Sequence, residues 1–273
     1  MGTVTGANDN ELHYEDTGGT GRPVVLIHGW PLNGKAWKDQ VGPLSAAGHR
    51  VITYDRRGFG ESEPQHPYGY DALAGDLAAL LEALDLRETA LVGFSMGGGE
   101  VVRYVALHGQ DRLRSVVFAA AVPPYMLRTG DNPEGPLSKT EAAAMAAQLT
   151  ANREMFYDGF TTKFFSAGDE LCVTEEQRQE AIDLCREAHK LAALECMASF
   201  GSTDFRDDLG HITVPALVLH GDSDGTVPFE GSGQRTHDAL SRSELVVVPG
   251  APHGLNVSHP DQFNTALLAF LAD

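Results

Sequence analysis

Apolar, β-branched runs alternate with amphipathic segments over the first 120 residues of the chain. Four of these runs predict buried strands, at residues 24–27, 50–54, 90–92 and 115–120. Helical spacing of apolar residues predicts helices between them, at residues 36–46, 71–84 and 96–108. Strands that alternate with helices in this order predict an α/β fold, with a mostly parallel sheet and helices on both faces.

The alternation stops after residue 121. From 122 to about 208 the pattern is helical, most clearly at 141–148 and 175–197. The alternation then resumes with two strands and two helices, at 215–219 and 244–248, and at 231–240 and 260–271. We therefore expect an α/β core formed by residues 1–121 and 209–273, with residues 122–208 inserted as a helical cap. In open parallel sheets ligands bind beyond the carboxyl ends of the strands, which places the expected site beneath this cap.

The segment Gly93-Phe94-Ser95-Met96-Gly97 is the strongest chemical signal. It fits the pattern G-x-S-x-G, and it lies between a predicted strand and a predicted helix, as a nucleophilic serine requires. The glycines are needed because side chains there would collide with the neighbouring backbone of a sharp turn. The turn also places the Met96 N–H at the start of a helix, where it can stabilise an oxyanion. Ser95 is the predicted nucleophile.

A serine hydroxyl needs a general base, and the base needs an orienting acid. In this strand-turn-helix context the chain order is serine, acid, histidine. His253 lies between proline and glycine in the loop after the 244–248 strand, so it is the predicted base. The other histidines after Ser95 fall in helices, beside a strand or at a strand end and are interpreted as structural or surface residues: His108, His189, His211, His220, His237 and His259.

Two carboxylates compete for the role of the acid in the loop after the 215–219 strand. Asp222 lies directly after the strand and can cap the turn through backbone N–H groups. Asp224 lies further out, where it can reach across to His253. We favour Asp224 and keep Asp222 as the alternative.

The loop His28-Gly29-Trp30-Pro31 follows the first strong strand and is expected to complete the oxyanion hole through the Trp30 amide. Gly29 lets the backbone turn, and Pro31 restricts the loop because its own φ stays at about −65°. His28 is expected to hold the loop by hydrogen bonds. The substrate pocket is expected to include four residues near these loops: Trp30, Pro31, Phe94 and Val122.

The glycine-bearing segment at residues 54–62 also follows a strand, but it lacks the lysine and serine or threonine of a phosphate-binding loop. Asp55, Arg56 and Arg57 in this segment are therefore expected to form turn and salt-bridge structure. We predict no metal site, because the three cysteines have no CxxC pair and lie too far apart for zinc ligands.

The overall charge narrows the classes of partner. The 273 residues include 38 acidic and 20 basic side chains, a formal charge of −18, which disfavours binding to nucleic acid or to anionic membranes. Cys172, Cys185 and Cys196 are expected to be free thiols in a reducing compartment. The first residues lack the pattern of a signal peptide, and no apolar run approaches 18 residues, so a cytoplasmic protein is expected.

Together these segments resemble the cofactor-free bacterial haloperoxidase, or perhydrolase, branch of the α/β-hydrolase superfamily, which also includes aryl esterases and γ-lactamases. The resemblance covers nearly the whole chain and is carried by HGWPLNGKAW, VITYDRRGFGES, LVGFSMGGGEVVRY, AVPPYMLRT, TDFRDDL, LVLHGDSDGTVP and PHGLNVSHP. It implies a triad of Ser95, Asp224 and His253 and an oxyanion hole formed by the Trp30 and Met96 amides, and it favours Asp224 over Asp222.

The same resemblance implies substrates and partners. It implies small esters, activated amides or lactams as substrates, no cofactor, and a homo-oligomer. The Trp30-Pro31 pair is similar to members with good perhydrolase activity, in which this proline helps hydrogen peroxide replace water. The cap sequence from 159 to 195 fits the family pattern less closely, so the acyl group does not follow from it.

Three rival interpretations remain. Hydroxynitrile lyases and C–C bond hydrolases keep a serine triad, so the motifs exclude them only weakly. Relatives that open epoxides or displace halide use an aspartate nucleophile, whereas position 95 is serine. A binding protein with a spent site is disfavoured because Ser95, Asp224 and His253 are all present.

Overall fold

The computed structural model describes residues 1–272 and contains a central eight-stranded sheet. Its strands follow the spatial order β1-β2-β4-β3-β5-β6-β9-β10, and all pairs from β4 to β10 in that order are parallel. They are β1 (Gly2–Thr5), β2 (Glu11–Asp16), β3 (Pro23–Ile27), β4 (Arg50–Tyr54), β5 (Thr89–Phe94), β6 (Leu113–Ala119), β9 (Ala216–Gly221) and β10 (Ser243–Val248). The predicted α/β-hydrolase architecture is confirmed.

Helices follow most of the parallel strands, and a second group lies between β6 and β9. The helices of the sheet layers are α1 (Lys38–Ala46), α2 (Tyr70–Ala83), α3 (Met96–His108), α9 (Gly233–Ala239), α10 (Leu255–Ser258) and α11 (Pro260–Leu271). Those between β6 and β9 are α4 (Lys139–Ala151), α5 (Arg153–Phe164), α6 (Glu175–Arg186), α7 (Lys190–Ser202) and α8 (Arg206–Leu209). Short 3₁₀ helices occur at Gly34–Trp37 and Phe229–Gly231.

Two strands at one edge of the sheet were not predicted. β1 and β2 pair with each other in antiparallel register, and β2 pairs with β4. β2 is largely polar, and Leu12 is its one fully buried side chain, so it lacks the apolar run that marks the central strands. Its conformation depends on hydrogen bonds to β4, which is distant in sequence.

The region between β6 and β9 differs from prediction in two places. The prediction of a single helix over residues 175–197 is wrong, because the structure contains two helices there, α6 and α7, which are separated by residues 187–189. There the His189 N–H donates to the Gly58 carbonyl, 2.7 Å away, instead of continuing a helix. A small hairpin, β7 (Ser166–Ala167) and β8 (Glu170–Leu171), also lies in this otherwise helical block. Its turn contains Gly168 with a φ of +61°.

The register of the sheet brings four loops to one edge. Ile27 is paired with Gly93, Phe94 with Ala119, and Val248 with Gly221. The parallel strands β3, β5, β9 and β10 therefore end at similar heights, and the loops after them meet above the same edge. These four loops carry the residues that the sequence singled out.

Cys185 and Cys196 are buried and Cys172 is partly exposed, and all three are free. Burial raises the pKa of the Cys196 thiol to about 12.

None of the helices described here is long and apolar enough to cross a membrane. Asp273, the last residue of the expected core, lies outside the described residues.

Candidate active site

Ser95 lies on the sharp turn between β5 and α3, with a φ of +54° and a ψ of −118°. A non-glycine residue in this region carries strain on the order of 1–3 kcal/mol. A Cβ at Gly93 would lie 2.6 Å from the Gly97 carbonyl oxygen, and a Cβ at Gly97 would lie 2.6 Å from the Ile27 carbonyl oxygen. Both glycines are therefore required by backbone crowding, as the motif predicts.

His253 lies between Ser95 and Asp224. Its Nε2 is 2.9 Å from Ser95 Oγ, and its Nδ1 is 2.6 Å from Asp224 Oδ2. Ser95 is 7% exposed and His253 is 1% exposed, so the three groups interact in a site with little water. Electrostatic interactions are stronger in such an environment than in bulk solvent.

Asp224 is held by several donors. Its Oδ1 accepts hydrogen bonds from the backbone N–H groups of Thr226 at 2.8 Å and Val227 at 2.7 Å. Burial by itself raises the pKa of Asp224, but the adjacent imidazoles of His253 and His220 outweigh it and hold that pKa well below its usual range. The carboxylate is therefore ionised at neutral pH.

Asp222, the alternative acid, lies elsewhere. It is exposed, and its Oδ1 accepts a 2.7 Å hydrogen bond from the Gly250 N–H. It therefore joins the loops after β9 and β10 and does not contact the imidazole. The geometry of the two carboxylates agrees with the preference for Asp224.

The His253 ring is clamped between aromatic side chains from the core and from α5. The ring centroid of Phe94 lies 5.2 Å from that of His253, and the centroid of Phe164 lies 4.9 Å from it. The backbone next to His253 is fixed as well, because the Gly254 N–H donates to the Phe164 carbonyl at 2.9 Å. A Cβ at Gly254 would lie 2.4 Å from the ring of Phe165. The end of α5 therefore sets the position of the imidazole.

The amides of Trp30 and Met96, which the sequence predicts as the oxyanion hole, belong to the loop after β3 and to the first residue of α3. Within residues 1–272 neither amide donates to a protein oxygen, so both are available to a ligand. The Trp30 indole Nε1 donates to the Ala193 carbonyl of α7 at 2.8 Å, which ties the loop to the helices above the sheet. His28 holds the loop as expected: its Nε2 accepts a 3.0 Å hydrogen bond from the Arg56 N–H.

A buried ion pair supports this loop from below. Arg56 Nε donates to Glu100 Oε1 at 2.5 Å, and the Tyr54 hydroxyl donates to Glu100 Oε2 at 2.6 Å. Arg56 Nη2 also donates to the His28 carbonyl at 2.6 Å. Burial lowers the pKa of His28, and the positive charge of Arg56 lowers it further, so the His28 ring is neutral. Arg56 therefore forms a salt bridge, as the sequence predicts, and this salt bridge lies beneath the loop of residues 28–31.

The neighbouring Arg57 offers a matched control for Arg56. Arg57 is equally buried but pairs with Asp76, away from the loop. We expect Arg56→Lys to lower kcat roughly 10- to 100-fold, because lysine loses the contact with His28 that positions the Trp30 amide. Arg57→Lys should leave kcat nearly unchanged, and both variants should lose about 1–3 kcal/mol of unfolding free energy. Steady-state kinetics with urea unfolding tests this, and equal losses of kcat in the two variants would contradict it.

A cavity of about 440 Å³ opens above Ser95 and His253. It is mostly apolar, and the residues that line it from the helices between β6 and β9 include Met145, Met155, Phe156, Phe160 and Phe200. Trp30 and Val122 line it, as the sequence predicts. Pro31 and Phe94, also assigned to the pocket, do not: Pro31 is buried in the oxyanion loop, and the Phe94 ring packs against His253.

The aromatic wall of this cavity was missed by sequence reasoning. Phe156, Phe160 and Phe164 recur every four residues and therefore lie on one face of α5. The first two contact the Trp30 ring, at centroid distances of 6.0 and 5.3 Å, and Phe164 contacts His253. This four-residue spacing is the signal that could have identified them.

Comparison with known proteins agrees with this architecture. The α/β-hydrolase fold family matches residues 22–260. A putative non-heme chloroperoxidase from Synechocystis is 44% identical, with 96% of this chain and 95% of the relative covered. A bifunctional esterase/perhydrolase from Acinetobacter calcoaceticus is 35% identical over 99% of both chains. The crystal structure of a bromoperoxidase from Bacillus anthracis is similar with a TM-score of 0.97 and 48% identity, covering 100% of this chain and 99% of that one. The chain belongs to the α/β-hydrolase fold family, in the branch of the non-heme haloperoxidases and their esterase relatives.

Proposed function

We propose that the protein is a serine hydrolase that cleaves small carboxylic esters, and activated amides or lactams, through an acyl-enzyme on Ser95. The observation that carries this proposal is the His253 imidazole, which lies within hydrogen-bond distance of both Ser95 Oγ and Asp224 Oδ2. His253 takes the hydroxyl proton as Ser95 attacks the carbonyl carbon, while Asp224 keeps the proton on Nδ1. The leaving alcohol or amine then receives the proton from Nε2.

The oxyanion of the tetrahedral intermediate is placed against the free Trp30 and Met96 amides. Backbone donors that are already oriented cost little reorganisation, and one such donor accounts for roughly 10²–10³ in rate. Residues 122–208 are proposed to act as the cap and residues 1–121 with 209–273 as the core. The support for this division is that residues 122–208 supply most of the apolar wall above Ser95.

Two acceptors are proposed for the acyl group. Water attacks the acyl-enzyme with His253 as base and releases the carboxylic acid. Hydrogen peroxide attacks the same carbonyl carbon, gives its proton to His253, and leaves as the peracid while Ser95 Oγ regains that proton. Released peracid oxidises halide in solution, which links the proposal to the haloperoxidase names of the relatives. This sequence of steps requires no cofactor.

The proposal is tested by covalent inhibition. Because one acyl-enzyme feeds both acceptors, a fluorophosphonate should modify Ser95 and abolish hydrolysis of p-nitrophenyl acetate and peracid formation in parallel. Mass spectrometry of the peptide that contains Ser95 identifies the adduct. Peracid formation that survives complete labelling would show that the perhydrolysis does not pass through this serine. Cleavage of a cyanohydrin in preference to the ester would instead favour the lyase interpretation.

A further inference from the structure

A second imidazole contacts the carboxylate of Asp224. His220, near the end of β9, is fully buried, and its Nε2 lies 2.8 Å from the Val227 carbonyl oxygen and 3.2 Å from Asp224 Oδ2. Neither a carbonyl oxygen nor an ionised carboxylate can donate a hydrogen bond. The contacts therefore require a proton on Nε2 of His220, shared between the two acceptors.

The opposite side of the His220 ring indicates that it carries only this one proton. Nδ1 is buried and has no hydrogen-bond partner among the described residues. Gly233 packs directly against it, since a Cβ at that position would lie 2.5 Å from Nδ1. A proton on Nδ1 would be a buried donor without an acceptor, which is unfavourable. The surroundings thus select the neutral tautomer with hydrogen on Nε2.

We propose that His220 is a positioning residue of the active site, which holds Oδ2 of Asp224 towards His253 and ties the loop after β9 to that strand. This inference rests on the proposed function of the triad. Oδ1 is already held by two backbone amides, Oδ2 is held by His253, and Nε2 of His220 lies 3.2 Å from the same Oδ2. Together these contacts restrict rotation of the carboxylate and favour the 2.6 Å contact with His253.

Two substitutions separate this role from simple packing. The side-chain amide nitrogen of glutamine can occupy the position of Nε2, whereas that of asparagine falls near Nδ1 and cannot reach Asp224. We expect His220→Asn to lower kcat for ester hydrolysis roughly 10- to 100-fold with little change in KM, since a hydrogen bond to a charged group is lost. His220→Gln should retain kcat within about threefold of wild type. Thermal unfolding of both variants shows how far each is destabilised.

The comparison of the two variants decides the proposal. A glutamine variant that loses as much kcat as the asparagine variant at a similar melting temperature would overturn it, and so would full activity in both. Labelling of wild-type Ser95 by a fluorophosphonate tests the proposed function separately. A failure of the positioning role of His220 can therefore be distinguished from a failure of the proposed serine-hydrolase function.

A measurement on the unaltered protein keeps the proposal testable if a variant does not fold. Nitrogen-15 spectra of histidine-labelled protein report which ring nitrogens carry hydrogen. We expect His220 to be protonated on Nε2 and unprotonated on Nδ1 at neutral pH. A spectrum that shows Nε2 of His220 without hydrogen would exclude donation to Asp224 and overturn the proposal.

Discussion

Ser95→Ala is expected to lower kcat for ester hydrolysis by up to roughly 10⁶, the loss seen when the members of a catalytic triad act as a unit. The physical reason is that no other hydroxyl can form the acyl-enzyme at this turn, where the backbone holds Oγ 2.9 Å from the imidazole. Substrate binding should change little, because the cavity walls remain. Steady-state kinetics with active-site titration of the wild type measures the effect. Near-normal esterase activity in this variant would falsify the nucleophile assignment.

The double variant Ser95→Ala/His253→Ala sharpens this test. If the serine and the imidazole act as one unit, removing both should cost about as much as removing Ser95 alone, because His253 has no proton to accept once the hydroxyl is absent. Independent contributions would instead multiply the two losses. Multiplicative losses would show that His253 acts on something other than the Ser95 hydroxyl.

Asp224→Asn is expected to lower kcat by roughly 10⁴ while the fold is retained. The amide can donate to Nδ1 of His253, which favours the tautomer that carries hydrogen on Nε2. An imidazole in that tautomer cannot accept the Ser95 proton. Kinetics at neutral pH, with the melting temperature of the variant as a check on folding, measures the effect.

The nearby Asp222 provides the matched control. It lies two residues away, is exposed, and accepts a hydrogen bond from the Gly250 N–H that an asparagine oxygen also accepts. Asp222→Asn should therefore keep kcat within about twofold of wild type, as expected for a surface substitution. A large loss in Asp222→Asn with a small loss in Asp224→Asn would reverse the assignment of the acid.

Much of the architecture follows from local pattern alone. The apolar runs of β3, β5 and β6 are buried on both sides in a parallel sheet, so their composition predicts them directly. The turn at Ser95 is marked by its own G-x-S-x-G segment. The Gly97 carbonyl of the same turn crowds Gly93, whereas the carbonyl that crowds Gly97 belongs to Ile27 of β3. The candidate triad could be predicted because its members follow strands whose carboxyl ends meet at one edge.

Contacts between distant segments decided the parts of the secondary structure that the local pattern did not predict. β2 is a strand because it pairs with β1 on one side and with the distant β4 on the other, although its own side chains are mostly polar. The helix predicted over 175–197 breaks where the His189 amide meets the Gly58 carbonyl. Neither partner is visible from the local sequence, so local propensity was insufficient in both places.

The chain by itself determined the fold class, the nucleophile motif and the small set of loops that carry the candidate site, because each is encoded in the residue pattern of short segments. The tertiary structure added the 2.6 Å contact between Asp224 and His253, which agrees with the preference for Asp224 over Asp222. Only the tertiary structure placed His220 against the Asp224 carboxylate and packed the Phe94 ring against His253 instead of in the pocket. The physical reason is that orientation and distance across the sheet edge depend on register and packing, which residue type does not encode locally.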